Sequence, residues 1–208
     1  MEVELKLRIP DFANFSRLKQ VLSPFHVETR HQKDFFFDGA NSSLSSRKFI
    51  LRLRHVSRIL PITGATGALC FLTLKGNARL VDGVSRVEED EEEINPIDGD
   101  ACLANVSRLG SIGSRVVKRC EEEFGASGFV GLGGFETARN LYTWRDGLKL
   151  EVDEVKFPFG TTYEVECETI KPDLIKADLE EYLRRNEIDF KDSEMSKFAV
   201  FMSGKLPV

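Results

Sequence analysis

Strict alternation opens the chain. Glu2, Glu4, Lys6 and Arg8 fall on one side, and Val3, Leu5, Leu7 and Ile9 on the other, the period of a β-strand. Pro10-Asp11 breaks the pattern, and Phe12, Phe15, Leu18, Lys19 and Leu22 then recur at helical spacing up to Pro24. A second extended segment over about 26–37 ends in Phe35-Phe36-Phe37 before Asp38-Gly39, and 41–46 reads as a loop. A third strand over 48–56 alternates Leu51 and Leu53 with Arg52 and Arg54. The Gly-, Thr- and Ala-rich stretch 61–68 reads as a mobile hairpin loop leading to a fourth strand over 69–75, closed by Gly76. A fifth strand over 84–94 contains six consecutive acids, 88–93.

Helical spacing returns over 111–124, where Ile112, Val116, Val117, Cys120 and Phe124 share a face and Gly125 suits the C-terminal cap. The Gly-rich stretch 125–134 reads as a connection. Strands over 135–144 and 148–154 are joined by Arg145-Asp146-Gly147, a strong hairpin signal. An eighth strand covers 162–169. Lys171-Pro172-Asp173 opens a helix to about Asn186, and a last helix starts near Ser193 and ends at Gly204. No internal repeat and no shift in composition divides the chain, so 1–208 is expected to be one α+β domain with a dominant, mostly antiparallel sheet.

Composition narrows the class. Among 208 residues there are 29 Lys+Arg and 34 Asp+Glu, a net charge of -5. That sum argues at first against a polyanionic ligand. Six of the acids lie in the single run 88–93, however, and setting them aside leaves 28 acids against 29 bases. No run of about 18 apolar residues exists, which excludes a spanning helix. Charged residues at 2, 4 and 6 leave no apolar core for a signal peptide. The expected location is the cytoplasm, and a chain of this size also diffuses into a nucleus. Cys70, Cys102, Cys120 and Cys167 have no metal-site or disulfide spacing and read as packed, reduced thiols. His26, His31 and His55 form no ligand spacing.

The informative feature is what alternates with the apolar positions. The polar strand faces carry seven carboxylates (Glu2, Glu4, Glu151, Asp153, Glu164, Glu166, Glu168) and five cations (Lys6, Arg8, Arg52, Arg54, Lys75). One reading is a solvated sheet face with cross-strand ion pairs worth a few tenths of a kcal/mol each. The other is a closed barrel with the charged face inside, because helices outside need the apolar face to cover. Buried charges must be paired or hold ions. Carboxylate clusters without His or Cys select Mg²⁺ or Mn²⁺, and Arg and Lys beside them match phosphate oxygens. Together they point to a metal-bridged polyphosphate, for which positioning and charge neutralisation suffice. No Ser/His or Cys/His pairing supports covalent catalysis.

The ordered set Glu2-x-Glu4-x-Lys6, Arg52-Leu53-Arg54, Thr73-Leu74-Lys75, Leu150-Glu151-Val152-Asp153, Glu164-Val165-Glu166 and Lys197 in the last helix resembles the CYTH superfamily, the triphosphate tunnel metalloenzymes. The segments Ser85-Arg86-Val87-Glu88-Glu89 and Lys197-Phe198-Ala199-Val200 look closest to its plant tripolyphosphatases. The resemblance implies an eight-stranded antiparallel closed barrel, a tunnel with a charged interior and helices packed outside. It implies that Lys6, Arg52, Arg54, Lys75, Arg139 and Lys197 hold the phosphates. Glu2, Glu4, Glu89, Glu91, Asp153, Glu164 and Glu166 would hold one or two Mg²⁺ or Mn²⁺ ions and orient the attacking water, with Glu4, Glu166 and Lys197 as the catalytic set. Within the acidic run Glu89 and Glu91 are favoured inward, with Glu88 and Asp90 as the out-of-phase alternative. Arg8 is left outside the set, because a role at the site and a place capping the strand end in contact with solvent weigh equally.

The implied activity is hydrolysis of inorganic tripolyphosphate to diphosphate and phosphate. The alternatives are a nucleoside or thiamine triphosphatase, an adenylate cyclase, or a non-catalytic polyphosphate-binding module. The partner is then a small-molecule polyphosphate, with no membrane and no specific nucleic acid, and the chain is expected to be a monomer. The 16 Phe read mainly as core; only Phe35-Phe36-Phe37 suggests contact with a ligand at a tunnel mouth.

Overall fold

The computed structural model describes residues 1–59 and 66–207. The hairpin loop expected over 61–68 therefore lies largely outside the described residues. The elements run β1 (Glu2–Ile9), α1 (Phe12–Leu22), β2 (His26–Gly39), β3 (Ile50–Ile59), β4 (Thr66–Lys75), β5 (Arg79–Val81), β6 (Val84–Val87), β7 (Glu89–Ile94) and α2 (Pro96–Ala104). They continue with α3 (Arg115–Phe124), β8 (Phe129–Thr143), β9 (Lys149–Phe157), β10 (Gly160–Glu168), α4 (Pro172–Arg185), β11 (Lys191–Asp192) and α5 (Lys197–Ser203).

The chain divides into two compact units. The first holds 1–31, 78–86 and 136–208, and the second 32–77 and 87–135. In the first, strands follow the order β5-β6-β1-β10-β9-β8, with β11 on β1. In the second, the order is β8-β2-β3-β4-β7. The registers described for β1–β10, β10–β9, β8–β9, β3–β4 and β4–β7 are all antiparallel. Among the described residues eleven strands stand where eight were expected. The fifth expected strand breaks at Glu88 into β6 and β7, and β5 and β11 are pairings too short to leave a periodic signal. Pairing among the described residues includes no closure into the expected barrel.

Each unit buries the apolar side of its strands under helices. In the first, Leu5, Leu7, Ile9, Leu150, Val152 and Val165 pack with Phe15, Leu18 and Leu22 of α1 and Ile175, Leu179 and Leu183 of α4. In the second, Leu51, Leu53, Leu72 and Leu74 pack with Cys102 of α2 and Val116, Val117, Cys120 and Phe124 of α3. Local signals place these helices. Asp11, Ser114 and Ser196 cap α1, α3 and α5, and Gly125 and Gly204 close α3 and α5 in the left-handed conformation. The apolar faces are thereby spent on helices, and the charged faces are left to the opposite side. Among the described residues no helix is long and apolar enough to cross a membrane.

Candidate functional site

The registers of the first unit set its charged side chains in rows. Lys6 stands opposite Glu166, which stands opposite Glu151. Two residues further along, Arg8 faces Glu164, Glu164 faces Asp153, and Asp153 faces Arg139. This face is not solvated: Asp153 is 0 % exposed, and Glu164 and Glu166 are 1 % exposed. A surface of screened ion pairs does not describe it.

The cations knit the carboxylates together. Lys6 Nζ lies 2.6 Å from Glu166 Oε1 and also pairs with Glu4. Arg139 donates from Nε and Nη2 to the two oxygens of Asp153 at 2.9 and 2.6 Å, reaches Glu166 Oε2 at 2.7 Å, and pairs with Glu151. Lys197, first residue of α5, brings its Nζ to 2.6 Å from Glu166 Oε1, 2.9 Å from Asp153 Oδ2 and 3.5 Å from Glu164 Oε2. A lysine at a helix N-terminus opposes the helix dipole; three buried carboxylates offset that.

The electrostatics follow from burial competing with these partners. Burial alone pulls the Lys6, Arg139 and Lys197 cations toward deprotonation, but the surrounding carboxylates win and hold all three above their ordinary range. Burial likewise opposes ionisation of Glu166, yet Lys197, Lys6 and Arg139 hold it well below the usual carboxylate range. At Glu164 burial prevails over Lys197, Arg8 and Lys6 and raises the pKa. Glu151 is raised too, by burial and by Asp153, Glu166 and Glu4, against the pull of Arg139.

Glu4, Glu151 and Glu166 present carboxylate oxygens that all lie within 4.8 Å of one another. An all-oxygen, all-anionic donor set of that span fits a hard divalent ion. Glu2 lies half-buried on the same side of β1, and Glu168 is exposed opposite Glu4.

The second unit carries a second charged set. Arg54 makes a two-point pair with Asp34, Nε to Oδ1 at 2.6 Å and Nη2 to Oδ2 at 2.7 Å. Arg52 Nη2 donates to Thr73 Oγ1 at 3.0 Å and to Glu91 Oε2 at 3.2 Å, and Thr73 donates to the same Glu91 oxygen at 2.9 Å. Lys75 Nζ is 2.7 Å from Glu89 Oε2. Burial and the neighbouring Arg54 lower the Arg52 pKa against Asp34, Glu89 and Glu91, the mark of a guanidinium crowded by like charge.

The acidic run divides by parity. Glu89 and Glu91 face Lys75 and Thr73 across the β4–β7 register. Glu88 and Asp90 turn instead to Arg119 and Arg115 of α3, and Glu92 accepts from Ser114 Oγ and the Val116 amide at its start. Glu89 and Glu91 thus lie on the side of Arg52 and Lys75, and the out-of-phase acids on the helix side.

Arg8 corrects an expectation. It neither caps a strand end nor meets solvent: it is 5 % exposed, with Nη2 3.0 Å from Glu164 Oε1. The Phe35-Phe36-Phe37 cluster is packed, Phe35 and Phe37 in the core of the second unit and Phe36 beside Phe135 at 5.4 Å between ring centres. Glu151 and Thr73 lie on the charged faces of the sequence but outside the ligand sets the resemblance implies. Asp34 was not singled out, although it shares parity with Gln32 and Phe36; the flanking Phe residues mask the alternation. All four cysteines are free and buried.

A family model described as the CYTH domain matches residues 1–199. A solved structure of HpAC1 from Hippeastrum, a candidate adenylyl cyclase described as having a dominant triphosphatase activity, is 44% identical. That match covers 100% of this chain and 98% of that one, with a TM-score of 0.92. PH1819 from Pyrococcus horikoshii shares the fold at 21% identity, covering 99% of this chain and 100% of its own, with a TM-score of 0.62. A candidate adenylate cyclase from Bacillus halodurans shares it at 17% identity, covering 97% of each chain, with a TM-score of 0.66. A comparison with curated proteins finds no match. By the match over 1–199 and by its 44% identity to HpAC1, the chain belongs to the CYTH family.

Proposed function

We propose that this chain is a metal-dependent hydrolase of inorganic tripolyphosphate, releasing diphosphate and phosphate. The carrying observation is the buried face on which Glu4, Glu151 and Glu166 converge within 4.8 Å between Lys6, Arg139 and Lys197. The dominant triphosphatase activity of HpAC1 supports the same reaction class. In this reading 1–208 acts as one catalytic domain and as a monomer in the cytoplasm. The closed tunnel belongs to the same reading and rests on the family resemblance.

Lys6, Arg52, Arg54, Lys75, Arg139 and Lys197 hold the phosphates, exchanging carboxylate partners for phosphate oxygens, to which Arg offers two-point bonding. Glu2, Glu4, Glu89, Glu91, Asp153, Glu164 and Glu166 would hold one or two Mg²⁺ or Mn²⁺ ions, which would neutralise phosphate charge and activate water. Glu166, kept ionised by three cations, and Glu4 beside it orient the attacking water. Lys197 neutralises charge developing on the phosphoryl group, a role assisted by a pKa that keeps it protonated.

Phosphate release from tripolyphosphate, ATP and thiamine triphosphate with Mg²⁺ tests this. The wild type is expected to prefer tripolyphosphate in kcat/KM, and Glu4→Gln and Lys197→Ala to lose about 100-fold or more. Binding of tripolyphosphate without release by the wild type would leave a polyphosphate-binding module. A preference for ATP would move the assignment to a nucleotide enzyme.

A further inference from the structure

On the charged face of the first unit, four buried polar atoms in or next to the carboxylate rows lack a hydrogen-bond partner among the described residues; one of them, Glu164 Oε2, lies 3.5 Å from the Lys197 ammonium, which leaves three. The first is Arg8 Nη1, although Nη2 of the same guanidinium donates to Glu164. The others are Thr162 Oγ1 and Thr137 Oγ1. All three side chains fall on one face of the sheet. Thr162 lies two residues from Glu164 on the same side of β10 and opposite Val155, which in turn stands opposite Thr137. They form the row beyond Arg8, Glu164, Asp153 and Arg139, on the far side from Glu4, Glu151 and Glu166.

Buried polar atoms are almost always satisfied, so three on one stretch of one face point to a polar ligand. A guanidinium N–H takes an acceptor and favours an anion, and Lys197 beside Glu164 discourages a second cation. The hydroxyls are neutral and able to donate, so the row beyond Arg8 adds no negative charge to repel an anion bound at its second fork nitrogen. We propose that Arg8, with the hydroxyls of Thr162 and Thr137, forms a subsite for the oxygens of a terminal phosphoryl group, at the end of the charged face away from Glu4 and Glu151. The proposal rests on the triphosphate reading above and extends it by one end of the substrate.

Arg8→Lys keeps a cation against Glu164 but removes the second fork nitrogen. Thr162→Val keeps the shape and leaves the Arg8–Glu164 pair untouched. The readouts are KM for tripolyphosphate, the half-saturating Mg²⁺ concentration, the melting temperature, and calorimetric binding of tripolyphosphate in EDTA. Arg8→Lys is expected to raise KM about tenfold or more, and Thr162→Val severalfold, with the metal requirement and melting temperature unchanged. Unchanged KM in both variants overturns the subsite. A shifted Mg²⁺ requirement in Arg8→Lys at constant KM overturns it as well, and makes Arg8 a positioning residue for Glu164. Should Arg8→Lys not fold, Thr162→Val and Thr137→Val carry the test. A wild type that binds tripolyphosphate without hydrolysing it, with binding weakened by both variants, removes the hydrolase reading and keeps the subsite. A wild type that binds tripolyphosphate neither in EDTA nor with Mg²⁺ removes both.

Discussion

Cys70, Cys102, Cys120 and Cys167 would titrate near pH 9 in an unfolded chain, and burial pushes every one of them up. Cys70 and Cys120 rise to about 12 and Cys167 to about 11. Since the thiolate is the nucleophile, the native protein at pH 8 is expected to react with iodoacetamide at fewer than one thiol per chain, and in urea at all four. Rapid labelling of the native protein contradicts this. The sign for stability follows. The folded pKa values exceed the unfolded ones, so the unfolded chain ionises first. The contribution is whole below about pH 9 and is lost as the pH rises toward 11–12. That these thiols are free was legible from spacings that suit neither a metal site nor a disulfide. The pairing of Arg8 was not, because alternation assigns a side but not what lies at the end of a strand.

β7 shows how one short element serves two purposes. Its odd acids, Glu89 and Glu91, answer Lys75, Arg52 and Thr73, and its even acids bind α3. Glu92 Oε2 accepts from Ser114 Oγ at 2.7 Å and from the Val116 amide at 3.1 Å, taking up donors that the first turn of a helix leaves free. Glu92→Ala is therefore expected to cost about 1 kcal/mol, a fall of roughly 2–4 °C in melting temperature. Exposed Glu93→Ala should stay within about 0.5 kcal/mol. Equal melting temperatures for the two variants would contradict the capping role.

Strands with strict alternation, capped helices and the Asp146-Gly147 hairpin were legible at this scale. Two elements were hidden by glycine. α2 includes Gly99, where an added Cβ would lie 2.5 Å from Cys70 Sγ, and a glycine inside so short a helix weakens its signal. β8 begins inside the Gly-rich stretch, and a Cβ on Gly134 would lie 1.8 Å from the Asp34 carbonyl oxygen. Those glycines permit close approach rather than a flexible connection. Gly134→Ala is accordingly expected to yield little folded protein by circular dichroism, and a native melting curve would contradict that reading.

At the scale of the whole chain, a net charge of -5 describes little, because charge is sorted by face. Acids 88, 90 and 92 are engaged with α3, and the carboxylates of the first unit are held by Lys6, Arg8, Arg139 and Lys197. The sorting was legible from alternation alone; the division into two units was not, since each is assembled from segments distant in sequence. The carboxylates of the first unit are paired with Lys6, Arg139 and Lys197, so a metal ion alone must displace ammonium and guanidinium groups from their partners. Tripolyphosphate alone must likewise draw cations away from acids that then stand buried and unpaired, which is costly. Supplied together, Mg²⁺ takes the acids and phosphate takes the bases, and no buried charge is left unmatched. Because a ligand stabilises in proportion to RT ln(1 + [L]/Kd), the pair at about 1,000 times its dissociation constant adds about 4 kcal/mol. For a chain of this size that is roughly 8–16 °C in melting temperature. Thermal melts with Mg²⁺, with tripolyphosphate in EDTA, and with both are expected to show a joint shift well above the sum of the separate ones. Separate shifts that simply add would mean that metal and phosphate bind independently, and the exchange of partners would be wrong.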